Sequence, residues 1–300
     1  MTLKIALDWT PNVNHIGILI AKDKGYFNER GLEVEILNPA TDNYQITPGK
    51  KLDLGLADFA IAPFETVISL NNKSNPVDAV AVYAILQEDL SCIVTLQSSG
   101  LDRPAALAGK IYASYAARYE DKIVQAMLEA DGATAPLQFV YPEKLGIWNT
   151  LLTGNADATW IFDNWEGVEA ATQGIALHKF TLADYQIPYG YSPVIIARRE
   201  KIVQHKQEYA AVIDAIKHGY LYAADHVEEA AAVLHAHVTL RDQECVDLAE
   251  TVRKTIPYFG KTDCGRMDAR RVEAFLQWLV DQGLETDQIL QQALYSNALL

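Results

Sequence analysis

The order of apolar and polar runs along the chain predicts repeated α/β units. The apolar run at Leu3–Leu7 is typical of a strand. After a polar turn, Ile16, Leu19 and Ile20 recur at helical spacing. Further strands are predicted at Leu32–Leu37, Leu54–Leu56 and Val77–Leu86. This β-α-β-α-β order implies a mainly parallel sheet with right-handed crossovers.

A second α/β alternation follows a change of pattern near residue 90. Gln87–Leu96 is predicted to be a strand that leaves the first unit, and further strands are predicted at Lys110–Tyr115, Leu137–Tyr141 and Ala158–Phe162. The strand predicted at Pro193–Ala197 carries the chain back. The last third of the chain has apolar residues three and four apart, and it is predicted to be helical at Lys201–Asp225, Val227–His237, Asp242–Thr255 and Asp268–Gly283. This order predicts lobe 1 from residues 1–90 and 193–300, and lobe 2 from residues 91–192.

Two clusters of aromatic and polar residues lie where a predicted strand is followed by a helix. The first cluster is LDWTPNVNH, and the second is WIFDNWEG, which begins at Trp160. Ligands of open α/β sheets usually bind at such carboxyl ends of strands. Aromatic faces stack on flat rings, and carboxylates and amides hydrogen-bond to the ring edges. The two clusters therefore predict a small-molecule site.

Composition and charge argue against several classes of function. The chain has 300 residues, 50% of them hydrophobic, which is ample for a core, and roughly 150 residues per domain suggests two domains. The formal charge of −14 argues against binding to nucleic acid or to an anionic membrane surface, because both need clustered Lys and Arg. No apolar run reaches the ~20 residues that a membrane-spanning helix needs.

The sequence offers no metal site and no familiar catalytic motif. Cys92, Cys245 and Cys264 lie far apart, without CxxC or zinc-like spacing, so we expect free thiols and no metal or cofactor. GxSxG, GxxxxGK[ST], GxGxxG and HExxH do not occur. Asp163 and Glu166 could act as acid and base if they were buried, but hydrogen bonds to a ring edge explain the pair without a reaction.

Motifs along nearly the whole chain resemble those of ABC-transporter substrate-binding proteins, in the branch related to SsuA and to the thiamine-pyrimidine precursor synthases. They are LDWTPNVNH, AKDKGYFNERGLEVEI, KLDLGLADFAIAP, LAGKIYA, LLTGNADATWI and GRMDARRVEAFLQWLVDQGLE. LDWTPN-x-NH followed by G-x-x-x-A-x-x-x-GYF is a specific signature. The resemblance implies an α/β, type II periplasmic-binding-protein fold: two α/β lobes joined by two crossover strands, with a ligand cleft between them.

The resemblance also implies the ligand, its contacts and the partner. The ligand is expected to be a flat nitrogen heterocycle, above all a thiamine-pyrimidine precursor, which a monomeric binding protein delivers to an ABC permease. Matching the family motifs gives the expected contacts Trp9, Asn12, His15, Asp58, Trp160, Asp163, Trp165 and Glu166. Predicted strand ends and the hinge add Tyr115, Tyr189 and Tyr191.

Several of these residues also have a structural interpretation. Trp9 and Trp160 could pack in the core. His15 could be a buried structural histidine or a helix cap, and Asp58 could cap the following helix. A solvated helix start, where the helix dipole favours Glu, is the alternative for Trp165 and Glu166.

The synthase relatives imply a lysine, a sacrificial histidine and a cysteine-rich segment. The matching stretch here, GLADFAIAPFETVISL, contains neither lysine nor histidine, and IPYGYSPVIIARR contains no cysteine. We therefore expect a binding protein with no catalytic residues. The alternative is a cytoplasmic enzyme or sensor of thiamine-pyrimidine or pyridoxal phosphate metabolism on the same fold.

The N-terminal sequence leaves two locations open. No charged n-region, apolar h-region or lipid-attachment cysteine precedes Leu3. The protein is expected to be periplasmic or otherwise extracytoplasmic if a leader has been removed, and cytoplasmic if Met1 is the native start.

Overall fold

Two five-stranded sheets carry the fold of this chain in a computed structural model that describes residues 2–142 and 146–300. The described residues divide into two compact units. The first unit comprises residues 2–89, 190–273 and 287–300, and the second comprises residues 90–189 and 274–286. Residues 274–286, which the sequence analysis assigned to lobe 1, therefore group with the second unit.

The first unit contains a mixed sheet. Its strands are β1 Thr2–Ala6, β2 Glu33–Leu37, β3 Phe59–Ala62, β4 Ala79–Ala84 and β10 Val194–Arg198, and their order is β2-β1-β3-β10-β4. β1 pairs in parallel with β2 and β3, whereas β10 runs antiparallel between β3 and β4. In the register, Ala6 lies opposite both Leu37 and Ala60. The carboxyl ends of β1, β2 and β3 therefore meet at one edge of this sheet.

The strand predicted at Leu54–Leu56 is wrong. Leu54 and Leu56 are exposed, and the strand is formed instead by β3, in which all four residues are buried. The continuous apolar run FAIA suits a strand that is covered on both faces. The shift places Asp58 before the strand rather than after it.

The second unit repeats the arrangement with a sheet of its own. Its strands are β5 Ser91–Leu96, β6 Ile111–Ala113, β7 Gln138–Val140, β8 Ala158–Phe162 and β9 Leu177–Phe180, in the order β7-β6-β8-β5-β9. β6 is parallel to β7 and β8, and β5 is antiparallel to β8 and β9. Cys92, Val94 and Ile161 from this sheet pack with Trp148 and Leu151 in a buried cluster.

Helices cover the sheets of both units. In the first unit they are α1 Ile16–Asp23, α2 Tyr26–Glu29, α3 Pro48–Asp53, α4 Glu65–Asn71, α8 Arg199–Gln204, α9 Lys206–Asp225, α10 Val227–His237, α11 Leu240–Cys245 and α12 Leu248–Thr255. In the second unit they are α5 Glu120–Ala130, α6 Ile147–Leu152 and α7 Glu166–Thr172, together with most of α13 Ala269–Asp281. None of the helices in the described ranges has the length and hydropathy needed to cross a membrane.

Two glycines allow α1 and α9 to pack closely. A Cβ atom on Gly219 of α9 would lie 1.9 Å from the carbonyl oxygen of Gly17 in α1. A Cβ atom on Gly17 would lie 2.4 Å from a ring carbon of Tyr220. A larger residue at 219 would therefore require the backbone of one helix to shift, and one at 17 would require the Tyr220 ring to move. This close packing holds the long helix against the start of α1, directly behind the turn that follows β1.

Candidate functional site

Short-range hydrogen bonds shape the turn that follows β1. The side chain of Asn12 accepts a hydrogen bond from the backbone N–H of Asn14 at 2.9 Å. The backbone N–H of Asn12 donates in return to Nδ1 of His15 at 3.2 Å. This reciprocal pair caps the short 3-10 helix Val13–His15, which leads directly into α1.

His15 lies behind the turn rather than at its surface. Its side chain is fully buried, and its Nε2 lies 2.8 Å from Oδ1 of Asp8. Both ring nitrogens are therefore engaged within the protein. Of the two interpretations that the sequence left open, the structure favours a buried histidine with a structural role.

Trp9 presents an open aromatic face beside a second ring. Trp9 is 38% exposed and Tyr44 is 39% exposed, and their ring centroids lie 5.2 Å apart at an interplanar angle of 49°. Tyr44 comes from the loop that follows β2, the neighbour of β1 in the sheet. The aromatic pair therefore sits at the carboxyl edge of the sheet, where a flat ring can stack.

The loop that carries Tyr44 is held by a largely buried ion pair. Nζ of Lys51, in α3, lies 2.8 Å from Oδ2 of Asp42. Asn43 and Tyr44 both adopt the left-handed conformation, with φ of 51° and 60°. Tyr44 is not among the contacts predicted from the sequence, although an aromatic residue in a polar loop after a strand was the available signal.

The structure places Asp58 away from this edge. Asp58 precedes β3, and its Oδ2 accepts a 2.8 Å hydrogen bond from the backbone N–H of Lys4. Its Oδ1 accepts from the hydroxyl of Tyr209 at 3.2 Å. Trp9 follows the other end of β1, so Asp58 and Trp9 lie toward opposite edges of the sheet. Asp58 ties β3 to β1 and α9, and we leave it out of the site proposed below.

Glu65 is a buried carboxylate that the sequence analysis missed. It is 5% exposed and is the first residue of α4, three positions after β3 ends. It therefore lies at the same edge of the sheet as the turn after β1. An acidic residue shortly after Pro63 was the signal for it in the sequence.

Tyr191 belongs to the packing of the first unit. It is 2% exposed, its hydroxyl accepts a 2.8 Å hydrogen bond from the backbone N–H of Asp268, and its ring lies 4.2 Å from the guanidinium of Arg271. Burial lowers the pKa of Arg271, and its side chain donates to the carbonyl oxygens of Gln87 and Gly190. Tyr191 therefore helps to hold two chain segments together.

The loop after β6 is built around the carboxylate of Glu120. Tyr115, in this loop, is exposed, and its backbone N–H donates to Oε1 of Glu120 at 3.1 Å. Glu120 is 3% exposed and also accepts from the Tyr112 hydroxyl at 2.9 Å and the Ala117 N–H at 3.2 Å. Burial raises the pKa of Glu120 in spite of these hydrogen bonds. Glu120 is not among the residues predicted from the sequence.

The second aromatic cluster divides between surface and core. Trp160 is half-buried, and its ring centroid lies 5.4 Å from that of the buried Tyr189. Trp165, in contrast, is 5% exposed and packs in the core of the second unit. The half-buried Trp160 therefore keeps some ring surface for a ligand, whereas Trp165 has almost none.

Asp163 and Glu166 follow β8 and have partners within the second unit. Asp163 forms an ion pair with Lys179. One carboxylate oxygen of Glu166 accepts from the backbone N–H of Phe162 at 2.9 Å. Each of these two carboxylates is therefore held in place by a partner of its own unit.

The described residues offer no metal centre. Within residues 2–142 and 146–300, no group of three or more His, Cys, Asp or Glu side chains is arranged to hold a metal ion. Cys92 and Cys264 are buried free thiols, and Cys245 is a half-buried one. The site chemistry rests on aromatic faces, carboxylates and backbone groups.

The arrangement of the two sheets defines the fold class of the protein. Two five-stranded mixed sheets with flanking helices form the periplasmic-binding-protein fold of solute-binding proteins. Residues 12–230 match the family described as NMT1/THI5 like, and the chain belongs to that family.

The chain is similar in sequence to two curated relatives and in fold to a solved structure. The formylaminopyrimidine-binding protein of Halalkalibacterium halodurans is 27% identical over 256 residues, which cover 84% of this chain and 74% of the relative. A Haemophilus influenzae protein named for thiamine biosynthesis is 26% identical over 288 residues, or 94% and 87% of the two chains. The periplasmic aliphatic sulphonate binding protein SsuA of Escherichia coli superposes with a TM-score of 0.69 at 14% identity, over 94% of this chain and 88% of that one.

Proposed function

We propose that this protein binds a thiamine-pyrimidine precursor outside the cytoplasm and delivers it to an ABC permease. The observation that carries the proposal is the open aromatic pair of Trp9 and Tyr44 at the carboxyl edge of the first sheet. Asp8, whose side chain is partly exposed, directly precedes Trp9 in the chain. An aminopyrimidine is flat and carries hydrogen-bond donors on its edge. It therefore matches a surface made of ring faces and a carboxylate.

The family relationship supports the same ligand class. The relative from Halalkalibacterium halodurans is named for binding a formylaminopyrimidine, and the chain matches most of its length. The stretch GLADFAIAPFETVISL lacks the lysine and histidine that the synthase chemistry implies, which supports binding without turnover. The fold is that of periplasmic solute-binding proteins, which supports a role in import.

We further propose that the ligand contacts the turn after β1 through Trp9 and Asp8, with Asn12 and His15 shaping the turn. Trp165, Tyr189 and Tyr191 are buried and are left out of the proposed contacts, as is Asp58. Ligand contacts from residues of the second unit stay predictions at four positions: Tyr115, Trp160, Asp163 and Glu166.

Isothermal titration calorimetry tests the proposal. The ligands are formylaminopyrimidine, 4-amino-5-hydroxymethyl-2-methylpyrimidine, pyridoxal phosphate and riboflavin. We expect micromolar or tighter binding of a pyrimidine, with the ligand recovered unchanged. Ligand at about 100 times its dissociation constant should also stabilise the fold by about 2.7 kcal/mol. Binding of neither pyrimidine would contradict the proposal, as would iron-dependent conversion or covalent capture of pyridoxal phosphate.

A further inference from the structure

We propose that Asp8 selects a ring-bound amino group on the ligand and that His15 is the positioning residue that fixes the Asp8 carboxylate. The inference rests on the proposed function, because it concerns the same edge of the first sheet. It assigns a role to Asp8, and it replaces the direct ligand contact expected for His15 with an indirect one.

The hydrogen bonds of His15 define its tautomer. A backbone N–H can only donate, so Nδ1 of His15, which receives the Asn12 N–H at 3.2 Å, carries no proton. The proton of the neutral ring is therefore on Nε2, 2.8 Å from Oδ1 of Asp8, and it is donated to that oxygen. Because the ring is fully buried, it holds this oxygen of Asp8 from the interior side.

Asn12, the other polar candidate in the turn, is already committed to the fold. Its Oδ1 accepts from the Asn14 N–H at 2.9 Å, and its Nδ2 donates to the carbonyl oxygen of Thr10 at 3.3 Å. Asn12 is 7% exposed, whereas the side chain of Asp8 is 27% exposed. Among these three polar residues, Asp8 is therefore the one that combines a fixed position with access from solvent.

The chemistry of the carboxylate determines which ring edge it prefers. An ionised carboxylate only accepts hydrogen bonds, and an amino group on a pyrimidine donates them. Asp8 is adjacent in sequence to Trp9, whose exposed face can stack on the ring. A ring stacked there with an oxo group in the position of the amino group would set a second acceptor against the carboxylate, and neither oxygen could donate a hydrogen bond to the other. Selection for the amino group follows from this conflict.

A pair of pyrimidines that differ in one group tests the role of Asp8. The probes are 4-amino-5-hydroxymethyl-2-methylpyrimidine and its 4-oxo counterpart, titrated into wild type and Asp8→Asn. We expect the wild type to prefer the amino compound by roughly 10- to 100-fold. In Asp8→Asn, the amide oxygen still accepts from His15, but the NH2 group replaces an acceptor with a donor. The preference should fall at least tenfold or reverse.

A matched pair of variants tests the positioning role of His15. His15→Gln keeps an N–H donor that can reach Asp8, whereas His15→Leu removes it. We expect the Gln variant to retain most of the preference for the amino compound and the Leu variant to lose most of it. Melting temperatures identify a variant that fails to fold. If His15→Leu does not fold, the role of His15 is tested with Asp8→Asn and His15→Gln instead.

The outcomes separate this inference from the proposed function. Wild-type protein that binds neither pyrimidine contradicts the proposed function and the inference together. Wild-type protein that binds the amino compound, while Asp8→Asn weakens both compounds equally or neither, supports the function and overturns the role of Asp8. A His15→Leu variant that folds and keeps the wild-type preference overturns the role of His15.

Discussion

The hydroxyl of Tyr220 donates a 2.6 Å hydrogen bond to the carbonyl oxygen of Asn14. Tyr220 lies in α9, more than 200 positions along the chain from the turn that carries Trp9. The bond is buried, and the Tyr220 ring packs against Tyr83 and Phe259. The C-terminal helices of the first unit therefore help to fix the shape of the turn.

Replacing Tyr220 with Phe should weaken the attachment of the turn to α9 without leaving a cavity in the core. The variant keeps the ring and its packing but loses one buried hydrogen bond, so we expect a loss of about 0.5–1.5 kcal/mol in the free energy of unfolding. Urea unfolding measures it. Tyr222→Phe is the matched control on the same helix, because its hydroxyl bonds to Glu229 at an exposed position. Equal losses in both variants would contradict the role assigned to Tyr220.

The packing of α1 against α9 predicts a strong effect at Gly219. An alanine methyl group would meet the carbonyl oxygen of Gly17 at 1.9 Å, so the helices must separate. We expect Gly219→Ala to destabilise the fold by about 1–3 kcal/mol or more, because backbone cannot move aside as a flexible side chain can. Gln207→Ala, at an exposed position of α9, should stay within about 0.5 kcal/mol of wild type. A wild-type melting temperature for Gly219→Ala would contradict the close packing.

The tryptophans predicted as ligand contacts should separate into two groups. Trp9 is half open, and we expect Trp9→Ala to weaken pyrimidine binding at least tenfold while the melting temperature changes little. Trp165 is buried, and Trp165→Ala should cost about 3–5 kcal/mol of stability. Calorimetric titration and thermal unfolding of both variants check this. Unchanged affinity in Trp9→Ala would remove Trp9 from the site.

Hydrophobic patterning predicted most of the framework because buried runs show in the sequence. β8 and α10 have the predicted bounds, Ala158–Phe162 and Val227–His237. The prediction of a strand at Leu54–Leu56 was wrong because a short apolar run looks the same in the sequence whether it forms a strand or a turn. That error also misplaced Asp58. The prediction put Asp58 after a strand, but it precedes β3 and therefore lies toward the opposite edge of the sheet.

The candidate site was harder to predict than the framework because its geometry depends on loops. Hydrophobic periodicity gives no signal for Tyr44. Its loop lies next to Trp9 because β1 pairs with β2, and that pairing cannot be read from local sequence. His15 shows the same limit. Its residue type suggested a ligand contact, but its two hydrogen bonds, to Asn12 and Asp8, give it an interior role.

The buried carboxyl group of Glu120 predicts a pH dependence of stability. Burial raises its pKa above the ordinary value of 4.5, so the folded protein holds the proton more tightly than the unfolded chain. The stabilisation linked to this proton is fully present below pH 4.5 and is lost as pH rises through the folded-state pKa. Glu120→Gln does not titrate at this position. The free energy of unfolding of wild type, relative to Glu120→Gln, should therefore fall between pH 4 and pH 7.

Tyr112→Phe sharpens the test of Glu120. The Tyr112 hydroxyl donates to Oε1 of Glu120, and this bond lowers the pKa of the carboxyl group against the effect of burial. Removing the donor should raise the pKa further, so the fall in stability should begin at higher pH in this background. Urea unfolding of wild type, Glu120→Gln, Tyr112→Phe and the double variant at four pH values measures both effects. A difference between wild type and Glu120→Gln that stays constant from pH 4 to pH 7 would contradict a raised pKa of Glu120 in the folded protein. In that case, the three hydrogen bonds that Glu120 accepts compensate for its burial in full.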